Sequence, residues 1–135
     1  MTHLIDTSAL TRLRHKSVRE TIEPMAAAGS LVRAGISDLE IGYSARSARE
    51  WDRALDALAA FELIETSADH VRRARQVQRL LAAKHQRGRK VPDLLIAAAA
   101  EANDLTVLHY DADFDRIAAV TGQPVEWVVP AGTVD

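Results

Sequence analysis

The sequence predicts an α/β domain of three layers, α/β/α, built on a central parallel sheet. Short apolar runs alternate with helical patterns along all 135 residues, as successive βαβ units require. Acidic residues close the strand-like runs or open the helices that follow, where an open parallel sheet gathers its ligand-binding groups. No internal repeat, low-complexity stretch or linker breaks this alternation. Residues 1–135 are therefore expected to form one domain, long enough to bury roughly two-thirds of its unfolded surface.

The elements follow in order. His3-Leu4-Ile5 forms the apolar part of a strand over 2–6, closed by Asp6. Thr7 to Leu10 starts a helix over 8–15, and a second helix over 18–28 is stopped by Gly29. A short apolar segment at 31–34 precedes Ser37, which opens a helix over 38–46. Trp51, Leu55, Leu58 and Phe61 recur at helical spacing around a helix over 48–60, and Leu63-Ile64 reads as a strand. From Asp69 a long helix runs to about Lys84, with Val71, Val77, Leu80 and Leu81 assigned to its inner face. A basic segment leads to a helix over 93–103, a strand over 105–110, a helix over 113–121 and a strand over 125–129.

Composition narrows the chemistry. Cysteine is absent, which excludes a disulfide framework and a thiolate metal site. The five histidines show no pair at metal-ligand spacing, which disfavours zinc. The longest apolar run, Leu94 to Ala100, falls far short of the ~20 residues that span a bilayer. A soluble, cytoplasmic protein without membrane contact is the expectation. The net charge of −2 argues against nucleic-acid binding by the whole surface, yet it hides two basic clusters. One holds Lys84, His85, Arg87, Arg89 and Lys90, the other Arg12, Arg14, His15 and Lys16. With two each of Trp, Tyr and Phe, no stacking platform for single-stranded nucleic acid is expected.

Asp6, Glu40, Asp93 and Asp111 each have a local explanation. Ser37-Asp38-Leu39-Glu40 fits a capping box. Pro92-Asp93 suits a helix start, Asp111 an N-cap, Asp113 a first-turn acid, and Asp6 a cap for its own helix. Taken together they point elsewhere. Two carboxylates ~5 Å apart repel by about 3 kcal/mol at an effective dielectric near 20. Several in one crevice would cost a sizeable part of a domain's stability unless protons or a cation relieve the repulsion. Capping does not require convergence, whereas a metal site does. Hard oxygen donors without His or Cys indicate magnesium or manganese.

Four stretches carry a family resemblance: Ile5-Asp6-Thr7-Ser8-Ala9-Leu10, the acid of Ser37-Asp38-Leu39-Glu40, Pro92-Asp93-Leu94-Leu95-Ile96-Ala97-Ala98, and His109-Tyr110-Asp111-Ala112-Asp113-Phe114-Asp115-Arg116-Ile117-Ala118. In this order they resemble the successive motifs of PIN domains, and more narrowly those of VapC-type toxins of bacterial toxin–antitoxin pairs. The resemblance implies a PIN-like fold and a metal-dependent endoribonuclease that inhibits translation or growth. It implies a magnesium cofactor, homodimerisation and a cognate VapB-type antitoxin. It also implies that Asp6, Glu40, Asp93 and Asp111 are the acidic quartet, with Asp113 an additional acid. Asp6 and Asp93 would be the direct magnesium ligands, and Ser8 would orient a ligand or water.

An acidic pocket repels the phosphate it must cleave. Lys84, Arg87, Arg89 and Lys90, just before Asp93, are expected to hold the RNA backbone, against the alternative of a solvated loop. Arg12, Arg14 and Lys16 read as a solvated helix end. His109 reads as a packed strand residue, Trp51, Leu55 and Leu58 as core or dimer contact, and Tyr43 and Arg46 as part of an antitoxin groove. Two other enzymic readings fit less well. A haloacid-dehalogenase type of phosphoryl-transfer enzyme or phosphatase would carry Asp-x-Asp after the first strand, where Asp6-Thr7-Ser8 stands. A receiver domain would carry paired acids there and a lysine after the last strand, which Val128-Val129-Pro130-Ala131-Gly132 does not supply. A non-enzymatic α/β binding module requires that the carboxylates do not converge.

Overall fold

The computed structural model describes residues 1–86 and 90–135; Arg87 and Arg89, assigned above to RNA binding, lie outside the described residues. Strands β1 (His3–Ile5), β2 (Leu31–Ala34), β3 (Glu62–Ile64), β4 (Thr106–His109) and β5 (Val125–Trp127) form a five-stranded sheet in the order β3-β2-β1-β4-β5. Every pairing is parallel. His3 aligns with Leu31 on one side and with Thr106 on the other, Val32 with Glu62, and Val107 with Val125.

Side chains alternate across the pleat. Leu4, Val32, Ala34 and Val107 enter one apolar cluster, and Ile5, Leu31 and Leu108 enter the other. Both faces are therefore covered, as a parallel sheet demands. Helices α5 (Ala68–Ala83), α6 (Val91–Ala102) and α7 (Asp113–Thr121) pack on the first face through Ala74, Val77, Leu81, Leu94, Ala97, Phe114 and Ile117. Helices α1 (Thr7–Leu10), α2 (Lys16–Ala27) and α4 (Ala48–Leu58) pack on the second through Ala9, Leu10, Val18, Ile22 and Leu58. Helix α3 (Gly35–Gly42) straddles the two, giving Ile36 to one cluster and Ile41 to the other. The expected α/β/α layering is present.

Several local expectations change. The helix expected over 8–15 stops at Leu10, and the Arg19 guanidinium takes the carbonyls of Leu13 (2.9 Å) and Arg14 (2.7 Å). Helix α3 starts at Gly35 with Ala34 as its N-cap, so Ser37 lies inside it and no capping box with Glu40 forms. Arg33 of β2 helps to seat α3: its Nε donates to Asp38 Oδ1 (2.8 Å), and Nη1 donates to the carbonyls of Leu58 and Phe61. A capping box does open α5. There Ser67 Oγ accepts the His70 N–H and His70 Nδ1 accepts the Ser67 N–H, both at 3.2 Å. The buried stripe of α5 is His70, Ala74, Val77 and Leu81. Val71 and Leu80 sit one residue off that stripe, about 100° around the helix, and are exposed.

Candidate active site

β1 is the central strand. The chain leaves it toward β2 and β3 and later returns to its other side with β4 and β5. The carboxyl ends of β1 and β4 thus flank the switch point at which open α/β sheets bind ligands. Two hydrogen bonds carry the β1–β4 seam beyond the ladder: Asp6 N–H to Leu108 O (2.9 Å) and Tyr110 N–H to Ser8 Oγ (2.8 Å). Beyond the seam opens a crevice of about 230 Å³, lined by Asp6, Thr7, Ser8, Thr11, Arg12, Glu40, Lys90, Asp93, Tyr110 and Asp111. Four acids far apart in sequence share it.

They do not all meet at one point. One carboxylate oxygen from each of Asp93, Asp111 and Asp113 lies within 4.8 Å of the others, a group able to hold a metal ion. Asp6 and Glu40 line the crevice outside that triad. Asp6 caps α1 through Oδ2, which accepts the Ser8 N–H (2.9 Å) and the Ser8 hydroxyl (2.5 Å). Asp6 therefore caps its own helix and lines the crevice at once. Ser8, bonded to Asp6 and to Tyr110, fixes the carboxylate across the seam. Glu40 Oε1 accepts from the Thr7 hydroxyl (2.7 Å), whose oxygen lies 3.0 Å from Ser37 Oγ. Asp93 sits in the first turn of α6 behind Pro92. Asp111 Oδ1 accepts the Asp113 N–H (2.9 Å), and its Oδ2 accepts from Lys90 Nζ (2.7 Å).

Burial and mutual repulsion set the charge states. Burial, with a smaller push from Glu40, raises Asp6 to about 6 against the hydrogen bonds from Ser8. Burial, then Asp6, Asp111 and Asp113, raise Asp93 to about 7, with Lys90 opposing. At Asp111 burial also pushes upward, but the hydrogen bonds from Lys90 and the Asp113 N–H outweigh it and hold the group below its ordinary value. Among the described residues, Asp6 Oδ1 and Asp93 Oδ2 are buried without a hydrogen-bond partner. Two such carboxylate oxygens in a set of hard oxygen donors fit a hard divalent cation.

A pH dependence follows. Asp6 and Asp93 ionise near 3.8 when unfolded but near 6 and 7 when folded. Between those values the folded protein binds more protons, so its stability falls as pH rises. The contribution of these groups is complete below pH ~4 and lost through pH ~6–7. Without metal, the melting temperature should therefore drop by several degrees between pH 5 and pH 8. Melts in chelator at three pH values check this; a flat profile would mean that both acids ionise normally.

Some residues take roles that local sequence did not show. Arg12, expected on a solvated helix end, lines the crevice with its guanidinium 4.7 Å above the Tyr110 ring. It donates to Ser8 O (2.7 Å) and to Asp135 O (3.0 Å). Its place one turn after Ser8 was the available signal. Arg14 pairs with Asp135, and Lys16 with Glu20, at the surface. Lys84 is exposed at the end of α5, while Lys90 reaches the acids. His109 is fully buried between the Phe114 and Trp127 rings, as its apolar neighbours suggested. Its Nδ1 also accepts the Asp111 N–H (3.1 Å), so it positions that acid, and burial holds the ring below its ordinary pKa. Leu58 is core, whereas Trp51 lies half-exposed against Gly42. Tyr43, the C-cap residue of α3, stands 91% exposed.

Comparison with known proteins agrees with this geometry. The PIN domain family model matches residues 3–120. Ribonuclease VapC51 of Mycobacterium tuberculosis is 62% identical over 98% of this chain and 97% of its own length. Ribonuclease VapC21 of the same organism is 48% identical over 97% and 96%. Among solved structures, VapBC2 from Rickettsia felis bound to a promoter DNA fragment superposes with a TM-score of 0.78 at 21% identity, covering 94% of this chain and 98% of that one, which shows a shared fold. No described helix is long and apolar enough to cross a membrane. With all four motif acids in one crevice and this likeness over nearly its whole length, the chain belongs to the PIN domain family as a ribonuclease of the VapC type.

Proposed function

We propose that this ribonuclease hydrolyses RNA phosphodiester bonds internally with a bound magnesium ion, manganese being the alternative. In this reading residues 1–135 act as one domain, the toxin of a VapBC-type pair that inhibits translation or growth. The observation that carries the metal-dependent reading is the Asp93–Asp111–Asp113 group beside the orphaned oxygens of Asp6 and Asp93. Asp93, Asp111 and Asp113 would hold the ion, with Asp6 and Glu40 on the adjoining wall. A bound ion supplies a more acidic water and charge stabilisation for the leaving oxygen. In this reading Glu40, whose carboxylate accepts from the Thr7 hydroxyl, would take the attacking water's proton. Ser8 keeps Asp6 fixed, and Arg12 offers a cation to the flanking phosphates, as would Lys84, Arg87, Arg89 and Lys90. Likeness to VapC ribonucleases supports a cognate VapB-type antitoxin, a homodimer and a cytoplasmic location. It favours this reading over a phosphatase or a binding module without activity.

The test is cleavage of RNA by purified, chelator-treated protein on addition of magnesium or manganese. Absence of cleavage with both ions overturns the reading. Magnesium should also raise the melting temperature, because a ligand of the folded state at about 100 times its Kd adds about 2.7 kcal/mol, roughly 10 °C for a chain of this size. Asp6→Asn should show a much smaller rise. Equal rises in both proteins would remove Asp6 from the ion's surroundings.

A further inference from the structure

The acidic centre contains a cation of its own. Lys90 Nζ lies 2.7 Å from Asp111 Oδ2 and 3.8 Å from Asp93 Oδ2, so it touches two of the three acids grouped for metal binding. Among the described residues Asp93 Oδ2 is buried and accepts no hydrogen bond; the ammonium serves it only through space. Lys90 is the N-cap of α6 and gives that helix no side-chain hydrogen bond. Its backbone carbonyl accepts from the N–H groups of Asp93 (3.1 Å) and Leu94 (3.4 Å). The residue is thus anchored by its main chain, while the long side chain remains 59% exposed and can swing away without breaking the helix. A partly exposed ion pair of this kind is individually weak.

We propose that the Lys90 ammonium is a tethered counter-cation of the acidic centre, which must leave Asp111 and Asp93 when a divalent ion binds and is thereby released into the crevice as a phosphate-binding group. This rests on the metal-dependent reading above. Lys90, within 2.7 Å of Asp111 Oδ2 and 3.8 Å of Asp93 Oδ2, offsets the mutual repulsion of these carboxylates while no ion is bound. Ion entry exchanges one cation for another. The released ammonium already lines the crevice, so the cation for the substrate's phosphate appears when the centre is loaded. By linkage, the two cations weaken each other's hold on the acids equally.

Manganese binding to the full chain, followed by titration calorimetry and by the spin-resonance signal of free manganese, tests this without relying on activity. The proteins are wild type, Lys90→Met, Lys90→Arg and Asp93→Asn. Lys90→Met should bind manganese roughly tenfold more tightly than wild type, a coupling within the usual range. It should also melt lower than wild type in chelator. Lys90→Arg, which keeps the charge, should stay near wild type in both measurements. A residue that only ties the segment before α6 would lower the melting temperature without tightening the ion. Equal or weaker manganese binding by Lys90→Met, beside measurable binding by wild type, overturns the exchange and leaves the metal-dependent reading standing. No binding by either protein overturns both.

Discussion

Asp93→Asn is expected to abolish RNA cleavage while raising the melting temperature of the metal-free protein. Asp93 is 4% exposed, and burial together with Asp6, Asp111 and Asp113 drives its carboxyl from 3.8 to about 7. A shift of about three units corresponds to roughly 4 kcal/mol of differential penalty on the charged form, felt fully only above pH ~8. Lost attraction to Lys90 is already counted in that value, and relaxation reduces it, so a net gain of about 1–2 kcal/mol is expected. Asparagine keeps the size of the side chain but supplies one neutral oxygen where an ion needs a charged one. Cleavage should fall by about a thousandfold or more even at saturating RNA, because a group serving the chemical step is lost. Melts in chelator at pH 8, beside single-turnover cleavage, decide the matter. A lowered midpoint would show that Asp93 matters chiefly as a first-turn acid on the α6 dipole.

Phe114→Ala should be the most damaging substitution to stability. Phe114 heads the fully buried side chains by size and joins α7 to the cluster formed by Leu4, Val107, Ile96 and Leu94. Its truncation should cost about 3–5 kcal/mol, from lost burial and the cavity left behind. The loss extends to the site, because the Phe114 ring lies 5.1 Å from that of His109, and His109 Nδ1 holds the Asp111 N–H. Manganese affinity of the folded fraction should therefore fall as well. Phe114→Leu, which retains most of the volume, should cost much less. Urea unfolding of the three proteins measures this. A loss below about 1 kcal/mol for the alanine variant would mean that the core collapses around the gap.

Much of this was legible because it depends on short-range pattern. Leu4-Ile5 and Val107-Leu108 each place neighbouring residues in opposite clusters, and such pairs can only be strands buried on both faces. The acids that follow them inherit their position from the strand ends, so their convergence needed only a parallel sheet with β1 beside β4. What was hidden depends on partners distant in sequence. Ser37 and Glu40 satisfy a capping pattern, yet the chain enters α3 three residues before Ser37, at Ala34, and Thr7 claims Glu40 instead. The box that does form uses His70, a residue type outside the usual Glu or Gln signature. Arg12 reaches the crevice because Tyr110 and Asp135 arrive beside it. The division of the acids into a close triad with Asp6 and Glu40 apart is a matter of ångströms, finer than any register argument resolves.

The alignment of His3 with Thr106 also sets a timetable. At ~5–20 residues per second of synthesis, the intervening stretch of roughly 100 residues takes about 5–20 s to emerge. Throughout that interval β1 can have β2 beside it but not β4, and Asp6 faces no Asp111. Joining strands so far apart is slow in its own right, since chain entropy is lost before the contacts reward it. A ribosome making this nuclease is therefore not exposed to a finished active site on its own nascent chain until β4 and the acids after it have cleared the exit tunnel.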